Sequence, residues 1–310
     1  MSGWLFQDGG TDGGTDGGTD GGTDGGTDGG TGGGSFGHSF LARMDGQDLA
    51  AMGQAPILTG ANFPDAAVAP SLRAQVILAQ FMATDWRNHG LDPALNEVRN
   101  DTADNLRGWV GQLLEKMPQR AARFGEIQSQ ARNFTSLFAS VVMARGRPAL
   151  QTLIATGLAV GHTVGMHWKW EYKKARPAQV YPGLLPIVPT PPHSSFPSNH
   201  ALQSHLIAIL LGEACVAAGQ ETFENVLKAL ATRIAENREI AGVHFNPDSV
   251  AGQQIAERIA PLLIALPDVA QLIEDAKTEF GAIVPGVRPD EPGWAKKLQA
   301  DAENDPDGGN

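Results

Sequence analysis

Cross-linking is absent from this sequence: one of its 310 residues is cysteine, Cys215, so no disulfide can form within the chain. Aromatic residues are sparse at 6%, which leaves the burden of burial to aliphatic side chains. Positive charge is also in deficit, with 23 Lys+Arg against 34 Asp+Glu and a net charge of −11. Repeats near the start carry six of those negative charges and the last ten residues four more, so the body stands at −1. A body so close to neutral excludes a nucleic-acid-binding face, which needs a basic excess to displace counterions. An apolar content of 42% excludes an acidic solvating chain. Long hydrophobic runs are scarce. The longest without charge, from Thr152 to Trp168, is about one span in length and holds His162 and His167, so no membrane span is expected. Met1 to Phe6 has neither the basic nor the apolar part of a signal peptide, and the chain reads as soluble.

Glycine is abundant instead, and six Asp-Gly-Gly-Thr units run from Asp8 to Thr31. They have no apolar side chain to bury, so residues 1–35 are expected to be disordered. A calcium-binding β-roll would need an apolar residue in every unit, which favours a flexible linker. Residues 290–310, rich in Asp, Pro and Gly, read as a flexible acidic tail. Residues 36–289 remain as the folded domain.

Within it the pattern is helical. Leu72, Val76, Ala79 and Met82 mark one face of a helix over Ser71–Trp86. Further helices are expected at Ala94–Lys116, Gln119–Ala144, Pro148–Lys173, Ser198 to about Gly219, and Phe223–Ile240, with two more after Asp248 and Pro267. No alternating β-branched run predicts a strand. Pro and Gly crowd Ala178–Pro197, which reads as an ordered loop. The fold class is all-α, in packed bundles.

Chemistry concentrates in three short patterns in the second half. Lys169 precedes Arg176-Pro177 by seven residues, and Pro177 disfavours helix at Arg176, leaving it in a loop. Pro197-Ser198-Asn199-His200 opens an apolar helix, with Ser198 a good N-cap and free N–H groups beside it. Arg238, His244 and Asp248 follow, with Gly242 and Pro247 placing His244 on a connecting loop. Three cations, a helix N-terminus and a Ser hydroxyl describe an oxyanion site. Of its two histidines, one oriented by a carboxylate can bond to the central atom, and the other can trade a proton.

The order Lys-x6-Arg-Pro, Pro-Ser-x-His, Arg-x5-His-x3-Asp resembles the superfamily of vanadium-dependent haloperoxidases and type-2 phosphatidic acid phosphatases. The resemblance covers Lys169 to Asp248 and implies an all-α fold of that type. It implies a clamp of Lys169, Arg176 and Arg238, with Ser198 and the Asn199 backbone as neutral donors. His244 would be the vanadium ligand or the phosphorylated nucleophile, His200 the acid–base, and Asp248 the partner of His244. Asn199 stands where the family has Gly, adding a side chain where the ligand approaches, and Asn237 replaces a Ser before Arg238. Vanadate on a histidine has the five-coordinate shape of phosphoryl transfer at its transition state, so one cavity suits both chemistries.

The lead-in Pro192-His193-Ser194-Ser195-Phe196-Pro197 resembles that of bromide-oxidising haloperoxidases, with His193 a possible halide-site residue. The resemblance therefore favours vanadate as cofactor, with hydrogen peroxide and bromide as substrates and Lys169 polarising the bound peroxide. The alternative is an acid phosphatase that hydrolyses phosphoesters through a phosphohistidine; a non-catalytic scaffold with a drifted site is the third reading. His162, His167 and His205 read as structural, and Lys173 and Lys174 as a solvated helix end.

Overall fold

The computed structural model of the chain describes residues 62–64, 67–90 and 101–282. The repeat segment, the acidic tail and the part of the Ala94–Lys116 prediction before residue 101 lie outside the described residues. Every regular element within them is helical. In chain order they are α1 (Pro70–Met82), α2 (Trp86–Gly90), α3 (Ala103–Lys116), α4 (Arg120–Asn133), α5 (Thr135–Val141), α6 (Pro148–Tyr172), α7 (Pro177–Val180), α8 (Asn199–Ala217), α9 (Glu221–Ile240), α10 (Asn246–Ile264) and α11 (Pro267–Gly281).

Two helices end earlier than periodicity predicts, for local reasons. The Ser71–Trp86 helix stops at Met82, where Thr84 Oγ1 donates to the carbonyl of Phe81 at 2.7 Å. The Gln119–Ala144 helix breaks after Asn133, whose side-chain oxygen takes the N–H of Ser136 at 3.2 Å and the hydroxyl of Thr135 at 2.8 Å. That carboxamide competes with the backbone ladder and divides α4 from α5. The Pro- and Gly-rich stretch is ordered, as expected, and includes α7 and a short 3-10 turn at Pro182–Leu184.

The apolar helix α8 is buried on nearly all sides, with α6, α9, α10 and α11 packed around it. Its contact with α6 is unusually close. A Cβ on Gly157 would lie 2.7 Å from Ile207, and one on Gly161 would lie 2.8 Å from Gln203. One turn further, a Cβ on Gly165 would overlap the side-chain oxygen of Asn199. The helices run antiparallel, and the next turn of α6 presents Lys169 to the backbone of Ser194 and Ser195, just before α8 begins.

Against the expectation that nothing could span a membrane, Pro148–Val180 and α8 are long and apolar enough to do so, with mean hydropathies of 1.2 and 1.3. Of their most apolar windows, 61% and 78% are buried within the structure, as also holds for core helices of globular proteins.

Candidate active site

Lys169 occupies the last turn of α6, where its ammonium donates to the carbonyls of Ser194 at 2.8 Å and Ser195 at 3.1 Å. The helix ends one turn later because Lys173 adopts a left-handed conformation, φ +50°, which redirects the chain into the segment carrying Arg176. Arg176 is extended ahead of Pro177, as the sequence predicts, yet its guanidinium is buried. It donates to the carbonyls of His193 at 2.9 Å and Val243 at 2.8 Å, and lies 3.0 Å from His244 Nε2 and 3.1 Å from His193 Nδ1. One side chain thus joins the loop before α8 to the loop before α10.

The tautomer of His244 follows from that contact. A guanidinium can only donate, so Nε2 carries the lone pair and the ring proton sits on Nδ1. Nδ1 faces Asp248 Oδ2 at 3.3 Å. The same oxygen accepts from Ser195 Oγ at 2.6 Å and from the N–H of Phe245 at 3.0 Å. Asp248 lies in the first turn of α10, which begins at Asn246, rather than ahead of it. Burial alone would push its carboxyl up, but the hydrogen bond from His244, the charge of Lys174 and the Ser195 hydroxyl prevail and hold it well below the ordinary range.

Ser198 caps α8 as expected: its hydroxyl oxygen accepts the N–H of Ala201 at 3.4 Å, which leaves its own proton to donate elsewhere. Its backbone N–H donates to the carbonyl of Asp248 at 2.9 Å, tying the start of α8 to that of α10. Gly252 permits this approach, since a Cβ there would lie 2.6 Å from the Ser198 carbonyl oxygen. His200 follows in the first turn of α8, buried, with its ring 5.1 Å from that of Phe134. Arg238 is buried in the last turn of α9, six residues before His244. A cavity of about 760 Å³ reaches Lys169, Arg176 and His193, with Met166, Trp170 and Pro192 also in its wall. Ser198, Asn199, His200, Arg238 and His244 are not part of that wall and are sealed from solvent.

The structure corrects two expectations, those for Asn199 and Lys174, and shows Asn237 hydrogen-bonded. Asn199 does not extend its side chain along the ligand approach; it fits the notch at Gly165, and neither amide atom has a hydrogen-bond partner among the described residues. Asn237 turns from the site toward α4, donating to Glu126 and Gln130, each at 2.9 Å. Lys174 is no solvated helix end. It is buried, 3.2 Å from Asp248 Oδ1, and the left-handed cap at Lys173 turns it inward. Sequence reading missed both Lys174 and Ser195 as partners of Asp248, which lies more than fifty residues away from either. His205 is structural in its contacts, with Nδ1 2.8 Å from the Ala201 carbonyl and its pKa lowered by burial.

In comparison with known proteins, the chain matches no family model and no curated protein. Among solved structures it is similar to a transmembrane PAP2 type phosphatidylglycerolphosphate phosphatase from Bacillus subtilis, with TM-score 0.32 and 17% identity over 64% of this chain and 94% of that one. That likeness is too distant to bear on activity.

Proposed function

We propose that the chain hydrolyses phosphate monoesters through a phosphohistidine at His244. The observation that supports this reading is the fixed tautomer of His244, with Nδ1–H on a buried carboxylate and the Nε2 lone pair turned to the Arg176 guanidinium. A phosphoryl oxygen entering at Arg176 brings phosphorus beside that lone pair. Nε2 forms the N–P bond as the ester P–O bond breaks, and His200 gives its proton to the leaving oxygen. Water then loses a proton to His200 and attacks phosphorus, the N–P bond breaks, and Nε2 recovers its lone pair. Asp248 stays ionised throughout and balances the positive charge on the ring. Lys169, Arg176 and Arg238 offset the charge on the equatorial oxygens, with Ser198 and the Asn199 N–H as neutral donors.

A second reading rests on His193, whose Nδ1 lies 3.1 Å from Arg176 at the cavity wall. Vanadate suits the same donors: His244 Nε2 would hold the metal and the three cations its oxygens. When bound it would supply redox-neutral Lewis-acid activation of hydrogen peroxide toward bromide.

The test is release of phosphate from an aryl phosphate together with trapping of acid-labile phosphate on the protein. His244→Ala is expected to lose both. His200→Ala is expected to keep anion binding and lose turnover; equal loss of binding in the two variants overturns these roles. Bromination that requires added vanadate, without phosphate release, selects the second reading. Inactivity in both assays leaves the scaffold.

A further inference from the structure

We infer that Lys174 is a positioning residue for the His244–Asp248 pair, a role that rests on the hydrolase reading above. The two oxygens of Asp248 are treated unequally. Oδ2 takes the Ser195 hydroxyl, the Phe245 N–H and the His244 ring. Oδ1 is met by the Lys174 ammonium at 3.2 Å and by no hydrogen-bond donor among the described residues. The ammonium itself sits among aromatic rings, 4.3 Å from the centroid of Trp109, 5.2 Å from Phe245 and 5.5 Å from Phe196. Asp101, half-exposed ahead of α3, is a second acid at 3.4 Å.

This arrangement gives the cation a defined task. Ring faces attract an ammonium but accept no directed bond from it, so its place is set by the rings and its charge is met by the two carboxylates. A carboxylate with a fixed cation on one oxygen cannot rotate without separating opposite charges in a buried setting, where their attraction is strong. Oδ2 is thereby kept on Nδ1 of His244, and the nucleophilic Nε2 keeps its aim. Lys174 also carries this constraint outward, because Trp109 belongs to α3 and Asp101 precedes it. Helix α3 is thereby joined to the reacting ring through Lys174.

The experiment uses the full chain and three variants, Lys174→Met, Lys174→Gln and Lys174→Arg. Met suits the aromatic surroundings and removes the charge; Arg keeps it. Lys174→Met is expected to lower kcat about 10- to 100-fold on an aryl phosphate, the scale of a misaimed reacting group. KM and the Kd for orthovanadate should stay within about twofold, since the anion clamp is untouched. Lys174→Arg should restore most of the rate. The far-downfield proton resonance of His244 Nδ1–H, identified by its loss in His244→Ala, should shift in Lys174→Met and persist in Lys174→Arg. A raised KM at unchanged kcat would make Lys174 a substrate-binding group and overturn the inference, as would an unmoved resonance. Should Lys174→Met fail to fold, Lys174→Gln decides by the same two readouts. A wild-type protein without phosphatase activity defeats the hydrolase reading, while the resonance still judges Lys174.

Discussion

Where α6 meets α8, the contact is made by small residues: Gly157, Gly161 and Gly165 admit Ile207, Gln203 and Asn199 to the helix backbone. Where α9 meets α4, long polar side chains bridge the gap. Arg233 grips Glu126 through two nitrogens at 2.5 and 2.6 Å, Asn237 bonds Glu126 and Gln130, and Arg123 reaches Glu236 at 2.6 Å. Each contact ends at a cation proposed for the clamp, Lys169 on α6 and Arg238 on α9. The first places its cation by backbone proximity, which tolerates no added volume. The second places its cation through bonds at a partly solvated surface, each individually weak. Position at the site is therefore more fragile to bulk on one side than to loss of charge on the other.

The most damaging change expected is Gly165→Ala. Its new methyl collides with the buried Asn199 amide, and thermal unfolding should show a loss of about 1–3 kcal/mol with anion binding weakened in parallel. Adding Asn199→Gly should recover most of that loss; a double variant no better than the single would mean the strain lies elsewhere. On the polar side, Asn237→Leu leaves the buried Gln130 side-chain oxygen without its donor and takes one of several donors from Glu126, and it should cost about 1–2 kcal/mol in urea unfolding, with less effect on the bound anion.

Acid separates the two contacts further. The carboxyls of Asp248 and Glu126 are both depressed in the folded protein, Glu126 chiefly by its Arg233 hydrogen bond. The folded state therefore takes up protons less readily than the unfolded chain. Its stabilisation from these groups is full above their ordinary values of 3.8 and 4.5, and is lost as pH falls toward the lower folded values. Stability measured from pH 6 to pH 2 should fall below about pH 4.5, less steeply in Glu126→Gln. Gly165→Ala should lower the whole curve without changing its shape.

The smallest expected signal is chemical. Burial, with the charge of Glu224 second, pushes the Cys215 thiol in α8 up to about 12. Iodoacetamide at pH 8 should label native protein very slowly, because thiolate is about 10⁻⁴ of the total. Labelling should quicken in Gly165→Ala and change little in Asn237→Leu; equal rates would show that the glycine contact does not govern opening of α8.

Much of this is legible in the amino-acid sequence. Apolar spacing located α1, α6, α8 and α9 to within a few residues, and Pro177 and Ser198 carried their own local geometry. The three motifs named Arg176, His244 and Asp248, which the fold brings into one chain of contacts. What could not be read depended on direction rather than on residue type. Asn133 gives no warning in the sequence that its carboxamide will divide a helix. Lys173 and Lys174 are chemically alike, and a left-handed backbone at the first sends the second inward. The partners of Asn237 lie about 110 residues earlier in the chain, so nothing near it told which way it faces.

The glycine contacts also set a counting rule. Each step of four residues along α6 is answered by a step of four back along α8, from Gly157 and Ile207 through Gly165 and Asn199. An α-helix turns by about 100° per residue. A single insertion between Gly165 and Lys169 would therefore swing that ammonium a quarter-turn away from Ser194 and Ser195. Length, as much as residue identity, is what this stretch of the chain has to keep.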